Sequence, residues 1–320
     1  MNALVFDSTL KLLSQYPEPR APQGESRVRV LRAGICNTDL EIIKGYLGFR
    51  GVLGHEFVGV VEDGAMTEVT LVKGARVVGE INASDGTCAT CWRGDETHCP
   101  NRTTLGIVKR DGAFAEYLTL PARNLHRVPD TVSDAQAVFT EPLAAACEIV
   151  ERVHVRPTDR VAVIGDGKLG LLCAQVLHLT GCDLIVIGRH AEKLELLKRR
   201  GIRVTSATDS IQTQFDIVVD CAGAASGFDL ARRLVRPRGT IVLKSTFHGT
   251  QEMPFAPMVI DELTLVGSRC GPFAPALRLL EKKLVDVEEM VSAEFPLARG
   301  GEAFERAAER GVLKVHLVME

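Results

Sequence analysis

With 320 residues the chain exceeds what one ordinary hydrophobic core serves, so two domains are expected. Its 46% hydrophobic and 25% charged residues, mixed along the chain at net charge −3, describe a soluble globular protein and leave no basic stripe for a nucleic-acid partner. No apolar run reaches the roughly 18 residues a membrane span needs, and segment 1–17 lacks the basic-then-apolar succession of a secretory signal, so a cytoplasmic protein is expected.

In chain order, the first 130 residues carry short alternating or β-branched runs at 3–6, 27–31, 57–62, 76–79 and 114–119, punctuated by Gly, Pro and Asp. That texture predicts an antiparallel β domain with long loops. From about Ser133 the pattern changes. Apolar strands at 161–164, 184–187, 217–219, 240–243 and 263–266 alternate with helical segments such as 168–179 and 191–200. Continuous apolar strands between amphipathic helices predict a parallel sheet covered on both faces. The last stretch, 276–320, reads as two helices and a closing strand at 314–318 that could join either domain.

Nine cysteines, an odd number, fit metal ligation and core packing better than disulfides in a cytoplasmic chain. Cys147, Cys173, Cys182, Cys221 and Cys270 lie in apolar segments and read as packing residues. The other four lie in polar surroundings in the first third. Asp85, Cys88, Cys91 and Cys99 form a D-x2-C-x2-C-x7-C array on a Gly-bearing loop. Three thiols at that spacing suit a closed tetrahedral structural zinc, with Asp85 or His98 as fourth ligand. A dispersed second set consists of Cys36 with Thr38 and Asp39, His55 with Glu56, and Glu141. One soft ligand, one imidazole and carboxylates suffice for a catalytic zinc with an open position.

The run 161–170 places Gly165, Gly167 and Gly170 between a strand and a helix, with Lys168 and Leu169 in its first turn. This spacing provides a tight turn, close approach of the backbone to a pyrophosphate, and close contact of helix with strand. The diphosphate then meets the free N–H groups of a helix N-terminus. The second strand ends at Gly188, where NAD sites usually place a carboxylate, and Arg189 and Lys193 follow. An arginine that can pair with a 2′-phosphate favours NADP over NAD.

The motifs GICNTD (34–39), GHEFVGVV (54–61), the cysteine lobe (85–99), EPLA (141–144), GDGKLG (165–170), VVDCAG (218–223) and ELTLVGS (262–268) occur in order. Together they resemble the zinc-containing medium-chain dehydrogenase/reductases, the group holding sorbitol, threonine and glucose dehydrogenases. The resemblance covers essentially the whole chain. It implies an α/β fold in which a doubly wound Rossmann sheet, 144–272, is inserted into a mainly antiparallel, GroES-like catalytic domain, 1–143 plus 273–320.

By the same resemblance, Cys36, His55 and Glu141 match the catalytic-zinc positions, and Glu56 a carboxylate that binds or sits beside that metal. Thr38 matches the hydroxyl that bonds the reacting oxygen, and Asp39 the group that orients His55. Glu41 stands where the family often has a proton-relay histidine, and Asp85 where it has a fourth structural cysteine. The implied activity is zinc-dependent hydride transfer between a small alcohol or polyol, or its carbonyl, and NADP(H) or NAD(H), in a homodimer or homotetramer. Two competing expectations are a zinc-free enoyl or quinone reductase of the same architecture and a non-catalytic NADPH-binding sensor. Phe49, Trp92 and Phe139 are the aromatic candidates for a substrate pocket.

Overall fold

The strand Glu25–Ile35 alternates buried Val28 and Val30 with more exposed arginines, the pattern of a sheet with one face on a core. It is the hub of a seven-stranded sheet in the computed structural model, which describes residues 1–64, 72–206, 211, 214–245 and 253–319. Glu56–Gly64 lies on one side of it, followed by Arg76–Gly79 and Leu125–Arg127. Lys314–Val318 lies on the other, followed by Val291–Pro296, and Tyr117–Pro121 also joins the hub. All these pairings are antiparallel except that of the last two strands in the chain, which run parallel.

The expected strand at 114–119 begins later than its apolar pattern implies. Ala115 instead makes an isolated bridge with Ala3, and the Phe114 carbonyl accepts the Leu4 N–H at 2.7 Å. The apolar run is thus divided between two pairing partners. Thr9–Leu13, which pairs with Ala3–Asp7, was not marked by the sequence, because it is largely exposed and buries no consistent face.

The chain divides into two compact units, Met1–Glu141 with Phe273–Glu320, and Pro142–Pro272. In the second unit six strands run parallel: Arg203–Thr205, Asp183–Ile187, Arg160–Ile164, Phe215–Asp220, Val235–Leu243 and Thr264–Gly267, in that spatial order. Numbered along the chain, this is order 3-2-1-4-5-6, which defines the doubly wound dinucleotide-binding sheet. The edge strand Arg203–Thr205 escaped the apolar pattern, being three residues long and half polar.

Helix Ala225–Leu234 shows how this unit closes. Phe228, Ala231 and Leu234 recur at one-turn spacing and are buried, with Ala162, Ile164 and Val218 of the sheet in the same cluster. Among the described residues no helix is long and apolar enough to cross a membrane. Cys147, Cys173 and Cys182 are buried as packing residues, while Cys221 and Cys270 are partly exposed. Phe228→Ala should destabilise this unit by about 3–5 kcal/mol, read from urea unfolding. A loss below about 1 kcal/mol would show that the helix is not held by this cluster.

Candidate active site

Cys36 follows the hub strand directly and stands at the N-cap of helix Asn37–Ile42, with extended backbone angles. Three residues on, Asp39 turns back, and its Oδ2 accepts the Cys36 N–H at 2.8 Å. This local cap fixes a fully buried carboxylate beside the thiol. Asp39 Oδ1 accepts the Gly54 N–H at 3.3 Å and lies 3.3 Å from His55 Nδ1. His55 Nδ1 thus faces the Asp39 carboxylate at ion-pair distance without hydrogen-bond geometry, and Nε2 is the nitrogen left over for a metal.

The ligand atoms of Cys36, His55 and Glu56 all lie within 4.8 Å of one another. Two ligands of one zinc ion can be at most about 4.6 Å apart, twice a Zn–S distance near 2.3 Å, so this spacing is compatible with a shared ion. Glu56 is fully buried; its Oε2 accepts from the Lys314 ammonium, and its Oε1 is buried without a partner. A carboxylate with one orphaned oxygen, grouped with a thiol and an imidazole, is a donor set a divalent cation completes, so the residues fit zinc.

The electrostatics agree. Burial opposes a charged His55 ring, but Asp39 and then Cys36 outweigh it and raise its pKa well above the ordinary range. A field that draws a proton onto the ring also draws a metal cation, which would take the proton's place. Lys314, likewise buried, is kept charged by Glu56 first, then Cys36 and Glu141, which together raise its pKa against burial. Lys314 drew no notice in the sequence, since nothing local marks a lysine in a closing strand as buried.

The remaining residues of the dispersed set are placed as follows. Thr38 Oγ1 is 3.7 Å from Cys36 Sγ. Glu141, half-buried in helix Thr140–Arg152, is not a member of the three-residue group, although its charge acts on Lys314. Glu41 is turned to Lys44, 2.9 Å away in an exposed pair, and is not brought to the group. Phe139 is fully buried core and Trp92 is 77% exposed, so neither has the half-open setting of a pocket wall.

The cysteine lobe forms a second group. Asp85, Cys88, Cys91 and Cys99 have ligand atoms within 4.8 Å of one another, so Asp85 rather than His98 completes the set among the described residues. The Cys88 sulfur is 3.5 Å from that of Cys91 and 3.8 Å from that of Cys99. Sulfurs sharing a tetrahedral zinc at about 2.3 Å stand about 3.8 Å apart, so these residues also fit the metal. Asp85 is fixed by N–H groups of Asn101, Thr87 and Cys88, which hold its carboxyl well below the usual range. Desolvation and the neighbouring thiols push Cys91 up to about 11, while the Cys91 N–H lowers Cys88.

In the second unit the glycine turn has the expected form. Gly165 has φ of +114°, and a Cβ at Gly170 would stand 2.1 Å from the Gly165 carbonyl oxygen, so both positions require glycine. Gly167 is the N-cap of helix Lys168–His178, whose first residues include the half-buried Lys168 and Leu169. Asp166, in a position the motif leaves open, reaches the end of the second strand. Its Oδ2 accepts the N–H groups of Arg189 at 2.5 Å and His190 at 2.6 Å, and His190 Nδ1 lies 3.0 Å from Oδ1. These bonds, His190 foremost, lower its pKa against the opposing effect of burial.

Gly188 has no room for a side chain, because a Cβ there would fall 2.7 Å from Asp166. Its glycine is thus explained by Asp166 rather than by the cofactor alone. Arg189 is exposed, whereas Lys193 is 8% exposed and buried within helix Ala191–Lys198.

Residues 22–130 match the family model of the alcohol dehydrogenase GroES-like domain, and residues 169–282 match that of the zinc-binding dehydrogenases. The chain belongs to the zinc-type medium-chain dehydrogenase/reductase family. It is similar to the sorbitol dehydrogenase of Halalkalibacterium halodurans, at 28% identity over 95% of this chain and 94% of that one. Among solved structures, a zinc-binding dehydrogenase from Sinorhizobium meliloti 1021 bound to NADP superposes with TM-score 0.89 at 27% identity, covering 99% of this chain and 98% of the other. A short chain alcohol dehydrogenase (rspB) from Escherichia coli CFT073 complexed with NADH gives 0.90 at 28%, covering 99% of each. This dehydrogenase is therefore an oxidoreductase of the NAD(P)-dependent alcohol dehydrogenase type. Elemental analysis should find two zinc ions per chain, and Cys36→Ser and Cys91→Ser should each remove one independently. Full metal content in either variant would contradict the corresponding group.

Proposed function

We propose that this dehydrogenase is a zinc-dependent enzyme acting on an alcohol or polyol, or the corresponding carbonyl, with NADP(H) preferred to NAD(H). The observation that carries this reading is the convergence of Cys36, His55 and Glu56 with one Glu56 oxygen left unpartnered. The group would be held by Cys36 and His55 with a carboxylate from Glu56 or Glu141. When bound, zinc supplies Lewis acidity that makes a hydroxyl proton easier to remove, or a carbonyl easier to reduce. The nicotinamide supplies the hydride acceptor or donor.

The chain's own residues do the rest. Asp39, 3.3 Å from His55 Nδ1, orients the imidazole electrostatically. Thr38, beside Cys36, would accept the substrate hydroxyl proton at Oγ1 in the oxidising direction only as it releases its own hydroxyl proton to water. Glu41, the relay candidate by family position, is paired with Lys44 at 2.9 Å. A zinc-free reductase would leave a half-buried thiol, a buried imidazole and a half-paired buried carboxylate without a common purpose. The likeness to a sorbitol dehydrogenase supports a polyol as the substrate class.

For the cofactor, two features support NADP. Arg189 is exposed at the end of the second strand. The nearby Asp166 carboxylate is committed to two backbone N–H groups and His190, so it is not free to accept from ribose hydroxyls.

Cys36→Ser and His55→Ala should abolish turnover in a panel of polyols while leaving dinucleotide affinity nearly intact; parallel loss of both would indicate misfolding rather than a catalytic role. Charge-assisted hydrogen bonds contribute about 1.5–3 kcal/mol, so Arg189→Ala should lower kcat/KM with NADP relative to NAD by about 10–100-fold. An unchanged ratio would remove the case for NADP.

A further inference from the structure

Lys314 and Glu56 form a fully enclosed ion pair, each side chain 1% exposed, between strands that are not neighbours. The hub strand separates them, with Gly34 in register with Glu56 on one side and His316 on the other. A Cβ at Gly34 would fall 2.6 Å from Glu56 Oε2 and 3.3 Å from Lys314 Cδ. The missing side chain is the gap through which the ammonium reaches the carboxylate. The lysine engages one carboxylate oxygen and leaves the other, Oε1, buried and unpartnered. Its ammonium also lies 5.8 Å from the centre of the Phe139 ring, so apolar packing fixes its path.

We propose that Lys314 is a positioning residue for the metal site: by holding Oε2 it limits Glu56 to one donor oxygen and preserves coordination space for substrate. This role rests on the reading that Cys36, His55 and Glu56 hold a metal. A buried carboxylate with no competing cation offers both oxygens to a metal and fills the positions a substrate oxygen needs. The ammonium also offsets the excess negative charge that a thiolate and two nearby carboxylates, Glu56 and Glu141, present to a divalent ion. An ion pair serving only to brace the sheet would have no reason to leave Oε1 orphaned in a carboxylate that is grouped with His55 and Cys36.

Cadmium-113 NMR of the full chain loaded with that ion reads the site directly. The wild type is expected to show a resonance that disappears in Cys36→Ser. In Lys314→Met this resonance should move as Glu56 closes on the ion with its second oxygen. Turnover of the zinc-loaded enzyme should then fall about tenfold or more with dinucleotide affinity unchanged. Lys314→Arg should restore the wild-type resonance and most of the turnover. Gly34→Ala obstructs the pair without removing either charge, should displace the resonance in the same direction, and carries the test if Lys314→Met does not fold. A resonance unmoved in Lys314→Met or Gly34→Ala, or equally displaced in Lys314→Arg, overturns the proposal. Absence of any Cys36-dependent resonance overturns the metal reading itself.

Discussion

Buried charge is the constraint on which the first unit depends. Asp39, Glu56 and Lys314 are each no more than 1% exposed, and His55 only 3%. Ionised groups removed from water are tolerated only when paired, hydrogen-bonded or bound to metal. Asp39 is satisfied by the Cys36 and Gly54 N–H groups, with the His55 ring facing it at ion-pair distance. Glu56 is satisfied on one oxygen only. The unmet oxygen belongs to a carboxylate grouped with a thiol and an imidazole, and a bound cation would satisfy it.

That site is built where regular structure ends. Cys36 leaves the hub strand and begins a helix, and His55 precedes the strand that starts at Glu56. Chain ends of this kind free side chains from the alternation of a strand while the sheet beneath keeps them in place. Lys314 arrives from the opposite end of the sequence, in a strand paired with the hub, so the site requires the unit to be closed by both halves of its chain. The second unit follows the same logic more locally: the glycine turn and the Asp166 brace lie at the carboxyl ends of adjacent parallel strands, where such sheets bind ligands.

Legibility in the sequence followed how locally each feature is encoded. The glycine turn, the Asp85–Cys99 lobe and five of the six parallel strands are each carried by contiguous residues with a recognisable spacing or apolar run, and they could be read directly. Lys314 was not legible, because its partner is 258 residues away and its strand resembles any other with a basic residue at one end. Asp166 sits in a motif position open to any residue, yet it, together with the backbone of Arg189 and His190, explains why residue 188 is glycine. The burial of Lys193 and Phe139 was not legible for a common reason: residue type indicates what a side chain could touch, but burial is decided by tertiary packing. Glu41 had a family position but found a local partner in Lys44, three residues on and just past the end of its helix.

The most direct measurement is zinc X-ray absorption on the Cys91→Ser variant, in which the lobe site is disabled and the remaining ion reports on the buried group. The account predicts one sulfur ligand at about 2.3 Å and nitrogen or oxygen ligands at about 2.0–2.2 Å. A shell containing several sulfurs, or a variant retaining no zinc while still folded, would contradict it.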